Sequence, residues 1–176
     1  VRAKCEIKGK KMSDFSTNRF QIRPVRPEDL AELLTMIQEL AEFERLSHLV
    51  TATVEDYHES LFGENPAAEA LLAQENGEPV GYAVFFSTFS TFVGRAGIWL
   101  EDLYVRPTHR GRGYGKALLK AVGTIAHERG AGRYEWTVLD WNRNAIDLYE
   151  RVGGEILPEW RIVRMDRERL RTFHES

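Results

Sequence analysis

The chain reads as one α/β domain built on a mixed sheet, and three observations carry that reading. From Arg19 onward, short apolar runs with strand spacing alternate with longer segments of helical periodicity. In the middle, Asn76-Gly77-Glu78-Pro79 separates two apolar runs, a hairpin signal that is foreign to an all-parallel sheet. Further on, a strand-like run, 99–105, leads through a short loop into Arg110-Gly111-Arg112-Gly113-Tyr114-Gly115-Lys116. That glycine-rich turn opens directly into an amphipathic helix.

Each element has its own signal. Phe20, Ile22 and Val25 suggest a first strand that ends at Pro24 to Pro27. Pro27 suits a first helical position, where its missing N–H costs nothing, and Glu28 and Asp29 meet the positive helix end. Leu30, Leu33, Leu34, Ile37, Leu40 and Ala41 then recur at helical spacing. Thr53 and Asp56 have the spacing of a reciprocal N-cap pair, for a shorter helix ending near Gly63. Residues 70–73 and 80–89 form the antiparallel pair around the hairpin turn, and 98–105 is the next strand. The helix after Gly113 presents Ala117, Leu118, Ala121, Val122 and Ile125 on one side, and Gly130 stops it. Residues 134–139 read as a strand, 142–152 as a helix closed by Gly153-Gly154, and 160–165 as a last strand. Residues 1–12 form a basic leader or arm, with Arg2, Lys4, Lys8, Lys10 and Lys11 ahead of Met12, and the domain proper spans 13–176.

Composition narrows the function classes. With 176 residues, 43% hydrophobic and 29% charged, the chain can bury a full core. A net charge of −3 and a pI of about 6.0 give no support to general nucleic-acid or membrane binding. Cys5 is the only cysteine, so an internal disulfide framework and a cysteine-based zinc site are both excluded. His48, His58, His109, His127 and His174 lack any metal-ligand spacing, and no metal is expected. No apolar run approaches the roughly 18 residues a membrane span needs, which makes the cytoplasm the expected location.

The glycine turn is the centre of the chemistry. Backbone N–H groups and the positive end of a helix dipole converge there, which suits a phosphate-bearing ligand. A Walker A loop would need glycine where Arg110 stands and a hydroxyl where Ala117 stands. A dinucleotide fingerprint would need glycine at Lys116. What remains is Arg110-x-x-Gly113-x-Gly115, in which glycines allow close backbone approach and Arg110 and Arg112 add charge. The alternative is a glycine-rich helix start with no ligand.

The run 110–115 after a strand resembles the acetyl-CoA-binding signature of the GNAT N-acetyltransferases. The likeness extends from Phe20 over nearly the whole chain. Leu40-Ala41-Glu42-Phe43-Glu44, Leu100-Glu101-Asp102-Leu103-Tyr104-Val105, Val138-Leu139-Asp140-Trp141-Asn142 and Leu148-Tyr149 resemble the diamine (spermidine/spermine-type) branch, and within it the thialysine-acetylating subgroup. The resemblance implies a single α+β domain whose mixed, mostly antiparallel sheet splays to admit acetyl-CoA and is flanked by helices. It further implies a small-molecule amine acceptor and a homodimer. The pantetheine arm would pair with the backbone of Leu103, Tyr104 and Val105. The pyrophosphate would rest on Arg110, Gly111, Arg112, Gly113, Tyr114, Gly115 and Lys116. Asn142, Ala145 and Tyr149 would complete the cofactor contacts.

Roles for single residues follow from the same likeness. Tyr149 falls on the family's proton donor, and a phenol with an ordinary pKa near ~10 can protonate a departing thiolate. It stands two helical turns beyond Asn142, which also sits at an N-cap position. Glu101 falls on a position that binds the amine or relays its proton. Strand alternation places it with Trp99, Leu103 and Val105 and turns Asp102 to the opposite face, in a structural pair or hydrogen bond. Phe43, Glu44, Glu135, Trp136 and Glu159 match substrate-side positions, although Glu44 also fits a solvated charged face. Trp99, Trp136, Trp141 and Trp160 read as core or interface. Arg164, Arg167, Arg169 and Arg171 read as a solvated basic stretch.

One departure bears on the acceptor. Polyamine-acetylating members carry an acid and a tryptophan in the loop before the central strand, where this chain has Ser90, Thr91 and Phe92. Fewer carboxylates favour a smaller amine, such as thialysine or a lysine-like side chain. Acetylation of a protein amine, or acetyl-CoA binding without catalysis, are the alternatives.

Overall fold

A computed structural model describes residues 19–175; the basic leader expected at 1–12 lies outside the described residues. The chain divides into two compact units after Trp136. In the first, strand β1 (Phe20–Pro24) leads through a 3-10 turn into helix α1 (Leu30–Phe43) and then α2 (Val54–Phe62). Strands β2 (Glu69–Glu75), β3 (Glu78–Ser90) and β4 (Arg95–Val105), helix α3 (Tyr114–Glu128) and the short strand β5 (Tyr134–Trp136) follow. The sheet order is β1-β2-β3-β4-β5, with every neighbouring pair antiparallel except β4 and β5. The mixed, mostly antiparallel sheet is the one the sequence predicts.

Local chemistry sets the joints. The β2–β3 hairpin turns on Asn76 and Gly77 with φ of 55° and 88°, the left-handed pair that matches strand twist. Asp56 N–H donates to Thr53 Oγ1 and Thr53 N–H to Asp56 Oδ2, closing the reciprocal cap of α2. Helix α1 lays Leu30, Leu33, Met36 and Ile37 on a sheet face formed by Val25, Ala70, Leu72, Tyr82, Val84 and Tyr104. Burying a side chain of this size is worth about 1.5–3 kcal/mol. Helix α3 packs on β2, β3 and β4. Its buried residues are Tyr114, Leu118, Leu119, Val122 and Ala126, so Ala117, Ala121 and Ile125 are only half-buried. Burial of Tyr114 turns that helix slightly from the face the periodicity suggests.

Two strand expectations are corrected. The strand expected at 134–139 ends at Trp136, because its ladder with β4 stops at the pair Leu100 and Trp136. One residue further, β4 is bulged: Val84 pairs with Asp102 and Phe85 with Leu100, leaving Glu101 as the extra residue. A bulge bends its strand and ends regular pairing. The strand expected at 160–165 is no strand; the backbone there makes no ladder, and Trp160 and Val163 are 72% and 88% exposed. β-propensity expresses itself only against a neighbouring strand.

The second unit holds helices α4 (Arg143–Arg151) and α5 (Arg167–Glu175). Helix α4 has Asn142 as its N-cap, the side chain accepting from Ala145 N–H at 3.3 Å, and Gly153 at φ 92° closes it. Helix α5 covers most of the basic stretch at the C-terminal end, and Asp166 accepts from Arg169 N–H at its start. Of the tryptophans expected in a core or an interface, none is fully buried: Trp99 and Trp136 are half-buried, and Trp141 is half-exposed.

Candidate active site

The glycine turn forms as the sequence predicts. Gly111 and Gly113 take φ of 77° and 83°, and a Cβ at either would meet nothing within 4 Å. Backbone conformation, with its left-handed φ, is what demands glycine here. Gly113 is the N-cap of α3 and no side chain caps the first turn, so the helix start presents its N–H groups without a side-chain acceptor. The space and the donors suit a pyrophosphate.

The two arginines of the turn are engaged with protein. Arg112 donates to both carboxylate oxygens of Glu75, at 3.0 and 2.9 Å. Arg110 Nε donates to Val105 O at 2.9 Å, and its guanidinium lies over the Phe43 and Tyr104 rings at 4.9 and 5.8 Å. The backbone of the turn, rather than these side chains, is therefore what stands open to an anion.

Strand β4 carries the next part of the site. Arg106 N–H donates to Val80 O on β3. Alternation along the strand then turns the backbone polar groups of Tyr104 toward β3, and those of Leu103 and Val105 toward the other edge. Pairing with β5 covers only Ile98, Trp99 and Leu100. From Glu101 to Val105 that edge has no partner strand among the described residues; the Val105 carbonyl accepts from Arg110 Nε, and the rest of the Leu103 and Val105 backbone there suits an extended ligand arm. The Tyr104 ring instead packs in the core, its hydroxyl donating to Glu39 at 3.1 Å; burial and Glu39 push its pKa up to about 12. Arg106 bonds Glu39 and Glu32, and so ties the end of β4 to α1.

The bulge also changes the carboxylates. Strict alternation, which put Glu101 and Asp102 on opposite faces, does not hold across an inserted residue. Glu101 is exposed and accepts from Trp99 Nε1 at 2.9 Å. Asp102 accepts from Tyr82 Oη at 3.3 Å, the hydrogen bond expected for it. Burial, with Glu101 and Glu44 as nearby like charges, raises its pKa to about 6. Burial pushes Glu44 up as well. Burial and Asp102 likewise hold the Tyr57 and Tyr82 phenols above their ordinary value. The end of α1, α2, β3 and β4 thus converge on one group of acids and phenols.

The remaining candidates are placed as follows. Glu135 and Trp136 lie on β5 in register with Trp99 and Leu100, and Glu135 pairs with Arg133 at 3.0 Å. In the second unit, Tyr149 is the buried residue of α4, 8% exposed, with Asn142 and Ala145 joined at the helix start. Glu159 is exposed in an irregular stretch. Ser90 is buried, its Oγ accepting from Val93 N–H, whereas Phe92 is 95% exposed. Tyr57, Tyr82 and Glu75 were not singled out from the sequence: each sits in an ordinary helix or strand pattern, and only the tertiary fold gathers them around acids or the turn. Among the described residues no group of three or more histidine, cysteine or acidic side chains could hold a metal. No described helix is long and apolar enough to cross a membrane.

Fold and site together define an acyl-transfer scaffold, and the chain belongs to the Acetyltransferase (GNAT) family, which matches residues 33–154. Its co-substrate is acetyl-CoA. A thialysine N-epsilon-acetyltransferase from Sus scrofa is 39% identical over 161 residues, covering 85% of this chain and 94% of the relative. The Caenorhabditis elegans protein of that name is 38% identical, covering 88% and 96%. An L-ornithine acetyltransferase from Arabidopsis thaliana is 30% identical, covering 87% of each. In fold, the chain matches an integron cassette protein from the mobile metagenome of V. cholerae with a TM-score of 0.74 at 24% identity, covering 89% of this chain and 98% of the other.

Proposed function

We propose that this acetyltransferase acetylates a primary amine of a small cationic molecule of the thialysine, ornithine or diamine kind. The observation that carries the reading is the group of carboxyls formed by Glu44, Glu101 and Asp102; burial first, and then the charges of Glu101 and Glu44, raise Asp102. Three acids gathered beside the open edge of β4 attract a cation, and a bound ammonium relieves their repulsion. The relatives named for thialysine and ornithine acetylation support an amino-acid-sized acceptor. So does the loop at Ser90, Thr91 and Phe92, which adds no carboxylate.

Acetyl-CoA supplies the thioester, and the chain's own groups handle binding and protons. Leu103 and Val105 orient the pantetheine arm, and the N–H groups from Gly111 to Lys116 hold the pyrophosphate. An ammonium with an ordinary pKa near ~10 must lose a proton before its nitrogen can attack the carbonyl carbon. Glu101, held by Trp99, takes that proton directly or through water, with Asp102 behind it. As the C–S bond breaks, Tyr149 gives its phenolic proton to the sulfur. Phe43, Glu44, Glu135, Trp136 and Glu159 complete the acceptor side. Cytoplasmic location and a homodimer belong to the same reading. A lone cysteine suits a reducing compartment, and the unpaired apolar stretch at 160–165 suits pairing with a second copy, which light scattering would report as a doubled mass.

Thiol release from acetyl-CoA with a panel of amines tests the assignment. Thialysine, lysine and ornithine should react with higher kcat/KM than spermine; comparable values for spermine and thialysine would remove the preference. No release with any amine, despite cofactor binding, would mark a binding module instead. Tyr149→Phe should lower kcat at neutral pH by about 10–100-fold, within the range of general acid catalysis, while cofactor affinity barely changes. Unchanged turnover would remove the tyrosine from its role.

A further inference from the structure

The glycine turn is braced from the far end of β2. Glu75, the last residue of that strand, has a side chain only 8% exposed. Its carboxylate accepts from Tyr114 Oη at 2.5 Å and from Arg112 Nη1 at 3.0 and 2.9 Å, and His109 Nε2 stands 3.3 Å away. Those partners span 109–114, from the entry of the turn to the first residue of α3. The Tyr114 ring is further stacked on Phe20 of β1, with centroids 4.0 Å apart and planes 6° from parallel.

A turn with two left-handed glycines has many accessible conformations, and only one presents its N–H groups together. A carboxylate buried at a strand end is costly unless its partners are in place. Because those partners lie on the turn, a departure of the turn from its cradle shape breaks these bonds to Glu75. The carboxylate also draws the Arg112 guanidinium onto the protein, which leaves the backbone cradle open toward solvent.

We propose that Glu75 is a positioning residue for acetyl-CoA: it touches no ligand and holds the turn 109–114 in its phosphate-binding shape through Tyr114 and Arg112. The proposal rests on the reading of the turn as the pyrophosphate seat. The fragment pantetheine, which lacks pyrophosphate and nucleotide, separates the two ideas. Calorimetry measures CoA and pantetheine binding to wild type, Glu75→Ala and Glu75→Gln, alongside steady-state kinetics and amide hydrogen exchange. Glu75→Ala should raise the CoA Kd and the acetyl-CoA KM about tenfold, the loss of several charge-assisted bonds that preorganise the site. Its pantetheine Kd, amine KM and saturating kcat should stay within about twofold. Glu75→Gln keeps the size and one acceptor for Tyr114, and should lose about threefold in CoA affinity. Amides 110–116 should exchange faster in both variants.

A lowered Tm with unchanged CoA affinity would reduce Glu75 to a fold-stabilising residue and overturn the proposal. Equal losses for CoA and pantetheine would overturn it too. Should Glu75→Ala not fold, Glu75→Gln decides alone: wild-type CoA affinity with wild-type exchange rejects the proposal. If wild type binds pantetheine as tightly as CoA, the pyrophosphate reading itself fails.

Discussion

Asp102 shows how one residue couples the fold to its acidity. Its folded-state pKa of about 6 lies above the ordinary value of 3.8, because burial and the charges of Glu101 and Glu44 disfavour its ionised form. The native state therefore holds a proton that the unfolded chain releases, so stability contributed by neutral Asp102 is lost as pH rises from about 4 to about 6. Asp102→Asn keeps an acceptor for Tyr82 Oη and removes the charge. Its Tm should exceed that of wild type above about pH 6, and the gap should close toward pH 4. A gap independent of pH would show that Asp102 is not the group that titrates. The residue scale is also where sequence reading is weakest. Glu101 and Asp102 were legible as unusual acids, but the bulge that breaks their alternation leaves no mark in a run of strand-forming residues. Asp102 was read as structural and does bond Tyr82, yet one of its two like-charged neighbours, Glu44, comes from a helix end far along the chain.

Single elements were more legible where a local rule decides them. The Thr53 and Asp56 cap, the Asn76-Gly77 hairpin, the Asn142 cap and the glycine turn all rest on short-range chemistry, and all four form. The strand expected at 160–165 failed because strand-forming residues such as Ile162 and Val163 need a neighbouring strand, which local sequence cannot supply. Helix α5 was missed in favour of a basic stretch, although Asp166 offered an N-cap signal three residues before Arg169. The glycine turn yields the prediction of this scale. Gly113→Ala forces a Cβ into φ of 83°, a strain of roughly 1–2 kcal/mol. Because nothing crowds that Cβ, the cost is conformational alone. The Tm should fall, and CoA should bind more weakly as the turn relaxes toward negative φ. A Tm equal to wild type in a thermal melt would show that the turn adopts another conformation in solution.

For the molecule as a whole, the order of strands and helices through α4 followed from the sequence, whereas the extent of each strand did not. Strand ends depend on where a neighbour stops pairing, and β5 stops after three residues for a reason that lies in β4. The acetyl-transfer chemistry was legible from the turn and its resemblance, while the brace at Glu75 was not, since an acid closing a strand before a hairpin reads as solvated.

The parting of β4 from the short terminal strand β5 turns the second half of β4 into a border of the sheet. Leu103 and Val105 present ladder groups with no partner strand among the described residues, the same feature that lets exposed strand edges recruit other chains and aggregate. An extended ligand arm laid along that border would act as a surrogate strand and would thereby guard against misassembly. Amides at Leu103 and Val105 should then be the fastest to exchange in the sheet interior and slow at least about tenfold with saturating CoA. Heating with CoA should leave less protein in the pellet than heating without it, and equal pellets would deny the guarding role.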